Sequence, residues 1–288
     1  MALLFQVSSG QQAAKPPAQE KIPQTFLSSP QPQREVRQEE IAQFQGFYDA
    51  LRNSPRNKAI SDESLRFFTW NVQQLYNGIK GEENGIGKEA FGQAMVAFIN
   101  AQNGTRDAKC TILGGGEGKL DATRLVIVDL DKPEREKRFF VINLSTRAVE
   151  DASISGSGKG SLQGVMAVYG NHIGKRIKDG LDLHGLESCN KQAYMTGTTF
   201  HPGDLNDSLG CVVIPGALQK DSLDVKRYNG GLTYYEEVSA KLRETELPTF
   251  LYSHRSGGKY AEQSKFMGLG FLESDGGAKW AGVFGAAP

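Results

Sequence analysis

The hydrophobic period of this chain changes near Gly104, and that change sets what each half can fold into. On the N-terminal side, Ile41, Phe44, Tyr48 and Leu51 recur at helical spacing. After the breakers Asn53, Ser54 and Pro55, Ser61 offers an N-cap with Asp62 and Glu63 in the first turn. Leu65, Phe68, Val72, Leu75 and Ile79 then form one amphipathic stripe. A third helix is expected over 87–103, with Phe91, Ala94, Met95 and Phe98 inward and Asn103-Gly104 as its stop. Beyond Gly104 the pattern turns to strands. Of 34 glycines, 26 follow position 105, which suits turns and strands and not long helices.

The strand candidates are Leu125–Leu130, a hairpin of Lys137–Leu144 with Arg147–Ile154, and then Val165–Tyr169, Leu181–Leu183, Ala193–Met195, Cys211–Ile214 and Thr249–Ser253. One helix interrupts them, about 233–244, with Tyr234, Val238 and Leu242 on one face. Residues 8–40 are rich in Gln, Pro, Ser, Glu and Lys, so 1–40 reads as a disordered tether. The organisation expected is therefore a tether over 1–40, a helical module over 41–104, a mostly β domain over 105–255 and a Gly-rich tail over 256–288. Trp280 and Phe284 in that tail are candidates to pack back.

Composition removes several function classes. Thirty-three Lys and Arg balance 33 Asp and Glu, so the phosphate affinity of a nucleic-acid protein has no excess of cations behind it. No apolar run reaches the length of a transmembrane helix. The start Met1–Val7 is too short, and lacks the basic flank, to be an intact signal peptide. Cys110, Cys189 and Cys211 make neither a disulfide framework nor a zinc pattern. Cys110 and Cys189 read either as packing thiols or as a pair. Gly114 to Gly118 lacks the Gly-Lys-Ser/Thr of a phosphate loop, so nucleotide binding is not expected.

Chemistry concentrates between Phe200 and Pro215. Cys211 follows Ser208-Leu209-Gly210 and directly precedes an apolar run, at a turn-to-strand junction. His201 lies ten residues upstream, beyond a polar loop able to bring the imidazole back to the thiol. A thiol with an ordinary pKa of about 8.5 needs such a neighbour to be substantially thiolate near neutral pH. Gly210 lets backbone amides approach a bound carbonyl, as an oxyanion hole requires. The bland alternative is that Cys211 is a small buried core residue. A metal site of His184, His201 and Cys211 has irregular spacing and no acidic partner. Among the other histidines, His184 sits beside a tight Gly-Leu turn, and His172 and His254 look like loop and strand-end residues.

Ser208-Leu-Gly-Cys211-Val resembles the signature of the murein L,D-transpeptidase catalytic-domain family: a His-Gly element, a variable loop, then Ser/Thr-x-Gly-Cys and an apolar residue. The likeness extends over about residues 120–254. Arg138 to Val149 looks like the family's opening hairpin, Leu181-Asp-Leu-His-Gly-Leu-Glu187 like its Gly-Leu-Glu branch, and the helix after the cysteine and Phe250–Ser253 fall where the family has them. One departure is plain: His201 is followed by Pro202 and then Gly203, where the family has His-Gly. Aligning Ala193 to Gly197 instead puts Thr196 in the histidine's place.

The resemblance implies an α+β fold, a mostly β catalytic domain built as a mixed sheet sandwich with one packed helix, preceded by the small helical module. It implies Cys211 as nucleophile, His201 as base, Gly210 and Ser208 shaping the oxyanion site, and His184 and Thr196 as candidate cleft residues. The reaction implied is L,D-transpeptidation of peptidoglycan stem peptides through a thioester, with no metal or organic cofactor. Its alternatives are L,D-carboxypeptidation of tetrapeptide stems, or a wall-binding protein that has lost its base. Such a substrate implies a periplasmic or otherwise extracytoplasmic protein.

Overall fold

In the computed structural model the described residues are 35–81, 85–105, 119–157, 163–172, 180–187, 190, 198–203, 211–214, 234–257, 260 and 264–272. Val36 is already buried, and a 3₁₀ segment, Gln38–Phe44, runs into helix α1 (Gln45–Asn53). The packed unit thus begins a few residues before the expected edge of the tether. Ser61 caps α2 (Asp62–Gly78): its hydroxyl accepts from the Ser64 N–H at 3.1 Å, and Leu65, Phe68, Val72 and Leu75 are buried as the stripe requires. Helix α3 (Lys88–Gln102) departs from a one-faced pattern. Every residue from Ala90 to Ala101 is buried, because α1 and α2 cover one side and the sheet the other. Gly92 permits this closeness, since a Cβ there would lie 2.6 Å from the Phe47 ring.

Nine strands form one mixed sheet among the described residues: β1 (Arg124–Asp129), β2 (Phe139–Asn143), β3 (Ala148–Ser153), β4 (Gly156–Ser157), β5 (Gly164–His172), β6 (Gly180–Gly185), β7 (Thr199–Pro202), β8 (Val212–Ile214) and β9 (Thr249–His254). Their order is β3-β2-β1-β9-β5-β6-β7-β8-β4. The β1–β9 and β7–β8 pairs are parallel and the rest antiparallel. The two edge strands, β3 and β4, are separated in sequence by Ile154 and Ser155 alone, so the sheet curls until its edges nearly meet. The expected sandwich of sheets is therefore one curled sheet. Alternation along the strands is the same for both arrangements, and the two-residue link decides between them.

The sheet is covered on both faces, which is why β1 and β2 read as continuous apolar runs. Leu125, Ile127, Phe140, Ile142, Phe250 and Tyr252 meet the helical module. Val126, Val128, Phe139, Met166, Val168 and Leu251 face the other way, against Tyr235, Val238 and Leu242 of helix α4 (Tyr234–Arg243). Ion pairs hold α4 in place. Lys241 meets Asp151 at 2.7 Å, and Arg124 bridges Glu150 and Glu244. No helix of the described residues is long and apolar enough to cross a membrane.

The C-terminal segment has no strong period in sequence, yet Phe266, Met267, Leu269 and Phe271 are buried against the helical module. Asn100 supplies the attachment. Its amide donates to the Phe266 and Gly268 carbonyls, both at 2.8 Å, as well as to Val96 one turn back. Asn57 accepts from the Leu269 N–H at 2.9 Å. Trp280 and Phe284, and the strand expected over 193–195, lie outside the described residues. Asn100→Ala removes the donor from the buried Phe266 carbonyl and the half-buried Gly268 carbonyl and should lower stability by about 2 kcal/mol. Urea unfolding checks the loss, and limited proteolysis should show the 264–272 segment cut first.

Candidate active site

Phe200 decides which way β7 faces. Its ring stacks on Phe139 (centroids 5.3 Å apart, 13° between planes) and tilts against Tyr235 at 5.4 Å, among the apolar residues around α4. Successive strand residues alternate, so Thr199 and His201 point to the opposite face. Strand β8 runs parallel beside it, with Phe200 opposite Val212, His201 opposite Val213 and Pro202 opposite Ile214. One step back, the same register brings Cys211 beside Thr199. Pro202 has no N–H to give a ladder, and pairing resumes at Gly203, whose N–H donates to the Ile214 carbonyl at 3.1 Å.

The sequence suggests that the polar loop between them brings His201 to Cys211. In the structure His201 lies on β7, and the pairing of β7 with β8 sets it on the face of Cys211. The imidazole lies close enough to the sulfur for each to act on the other's pKa, drawing the thiol down and the imidazole up. His201 Nδ1 also lies 2.8 Å from the Pro202 carbonyl. That carbonyl can only accept, so Nδ1 is assigned the proton, and Nε2 is the nitrogen left able to take one from the thiol. The departure from His-Gly thus still provides an orienting acceptor. Thr199, not singled out in the sequence, points two donors at the same sulfur: its N–H at 3.5 Å and its hydroxyl at 3.7 Å. The signal for it was strand alternation two residues before His201, visible only once His201 is placed on a strand.

The electrostatics follow from burial and hydrogen bonding in opposition. Burial pushes the Cys211 thiol up, but the His201 imidazole and the two Thr199 donors outweigh it, and the thiol ends below its ordinary value. Burial pushes His201 down, but its bonds to Cys211 and the Pro202 carbonyl outweigh that, and the imidazole ends above its ordinary value. Both directions favour a thiolate–imidazolium pair, which titrates as a unit. Cys211 is half-buried, unlike a fully buried core cysteine.

His184 lies one strand away on β6. Asp182 pairs with Thr199 in register, so Asp182 and His184 share the face of the dyad. His184 is 3% exposed; burial lowers its pKa against the opposing pull of Asp182, which keeps it neutral at physiological pH. The tight turn expected beside it is present, since a Cβ on Gly185 would lie 1.9 Å from the Asn190 carbonyl oxygen. Ser208, Gly210 and Thr196, with Cys110 and Cys189, lie outside the described residues.

Among the described residues, the group close enough to hold a metal ion is Asp129, Asp131 and His254, at the ends of β1 and β9 with β5 and β6 between them and the dyad. Those carboxylates already accept from the Gly87, Asp131 and Ser256 N–H groups, and His254 meets Asp131 at 3.1 Å. That network ties the β9 end to the β1–β2 turn. His254 therefore has a structural task at its strand end, and the metal reading through His184, His201 and Cys211 does not reappear there.

The dyad makes a pH-dependent statement. Cys211 should react with iodoacetamide at a lower pH than a free thiol. His201→Ala removes the imidazole's favourable bond, so the midpoint should move to higher pH. Peptide-resolved alkylation across pH reads both. Comparison with protein families, characterised proteins and solved structures finds no match to this chain, so its functional reading rests on the residues and geometry described above.

Proposed function

We propose that the protein is a cysteine-dependent L,D-transpeptidase acting on peptidoglycan stem peptides. The observation that carries this reading is the Cys211–His201 contact across adjacent parallel strands, with the imidazole oriented by the Pro202 carbonyl. It supports the likeness of the Ser208-Leu-Gly-Cys211 segment to the murein enzymes. It also counts against a wall-binding protein without a base, since that alternative rested on a histidine out of place.

In this mechanism the Cys211 thiolate attacks the carbonyl that links the third stem residue to the terminal D-alanine. The developing oxyanion is held by backbone amides at Gly210 and Cys211. Imidazolium His201 gives its proton to the leaving amine, and a thioester remains on the sulfur. The neutral imidazole then takes a proton from the side-chain amine of a second stem as that amine attacks, which forms a third-to-third cross-link and frees the thiol. Water in place of the amine gives L,D-carboxypeptidation. The balance between the two depends on acceptor binding and water exclusion. Each step needs only protein groups, and the substrate implies an extracytoplasmic location.

The test is intact-mass analysis after incubation with a carbapenem, a β-lactam that acylates the cysteine of the murein enzymes. A one-to-one covalent adduct, absent in Cys211→Ala, is expected. His201→Ala should slow adduct formation by about 10²–10⁴-fold, the range for loss of a positioned base. A folded protein that forms no adduct and leaves disaccharide-tetrapeptide unchanged would overturn the reading.

A further inference from the structure

Cys211 has a second source of stabilisation besides its histidine. The Thr199 N–H and hydroxyl both point at Sγ, at 3.5 and 3.7 Å, from a residue with no exposed surface. Its backbone is fixed by the β6 and β7 pairing, with Asp182 opposite, so the two donors are held in place and not recruited on binding. Neither donor carries a titrating proton near neutrality, in contrast to the imidazole.

We propose that Thr199 is a catalytic residue that holds the Cys211 thiolate independently of His201. The proposal rests on the transpeptidase reading for its place in the reaction, and on geometry alone for the thiolate itself. During acylation His201 gives its proton away and loses its positive charge. The Thr199 donors remain on the sulfur through that step, and they meet the same sulfur again when the acceptor amine displaces it from the thioester as a thiolate. The residue thus makes Cys211 a better leaving group in the second half-reaction. Among the described residues, the titratable groups that face this row from the same and neighbouring strands are His201 on β7 and Asp182 and His184 on β6. Burial pushes His184 toward its neutral form, and Thr199 and His201 favour the anion.

Thr199→Val keeps the volume and the N–H but removes the hydroxyl; Thr199→Ser keeps the hydroxyl. Peptide-resolved alkylation of Cys211 by iodoacetamide should show the midpoint in Thr199→Val shifted to higher pH by about one unit. Its high-pH limiting rate should rise about threefold, because a more basic thiolate is the stronger nucleophile. Thr199→Ser should return both values close to wild type. Lost packing alone does not produce a higher midpoint together with a faster limit. If Thr199→Val fails to melt cooperatively, Thr199→Ala is measured in the same way. A folded Val or Ala variant with an unmoved profile overturns the proposal. The alkylation profile needs no wall substrate, so a chain that forms no carbapenem adduct but shows the Thr199 shift fails as a transpeptidase while Thr199 keeps its hold on the thiolate.

Discussion

The parallel pairing of β7 with β8 is the constraint from which the site follows. It sets Thr199 and His201 on one face, beside the residues that lead into β8, and it needs Phe200 anchored on the other. With that ring held between Phe139 and Tyr235, β7 cannot slip by one residue without turning Phe200 out and His201 in. The α4 helix and the inner face of the sheet therefore serve the dyad at a distance. They fix the orientation of a strand whose opposite side carries Thr199 and His201.

Burial works against both charged forms at this site, and local hydrogen bonds reverse it. The thiol gains an imidazole and two Thr199 donors, while the imidazole gains the sulfur and the Pro202 carbonyl. Desolvation then adds to the effect, because charges at a half-buried position are less shielded by water than charges on the surface. His184, on the same face, is pushed the other way, because burial outweighs the pull of Asp182. Similar burial thus goes with a raised imidazole at His201 and a lowered one at His184.

Much of the fold was legible in the sequence because its period is local. Ser61 and the stripe from Leu65 to Leu75 describe α2, and the hairpin around Ser145-Thr146 describes β2 and β3. Cys211 at the mouth of an apolar run was legible too. The strand carrying His201 was not, since four residues ending in proline carry almost no pattern. With it went Thr199, whose meaning depends on a strand's alternation. The complete burial of α3 and the curl of the sheet depend on long-range packing, which no window of sequence contains. The attachment of the 264–272 segment through Asn100 joins residues some 166 positions apart, beyond any periodic signal.

The site's local bonds draw the Cys211 thiol down and the His201 imidazole up before substrate binds, toward a thiolate–imidazolium pair. Nitrogen NMR of histidine-labelled protein measures it directly, because the two ring nitrogens report which of them carries a proton. With both nitrogens of His201 protonated near neutral pH, and that signature lost in Cys211→Ala, the pair is present as described. A His201 that is neutral near pH 7, and whose titration is unchanged by removing the sulfur, would contradict it.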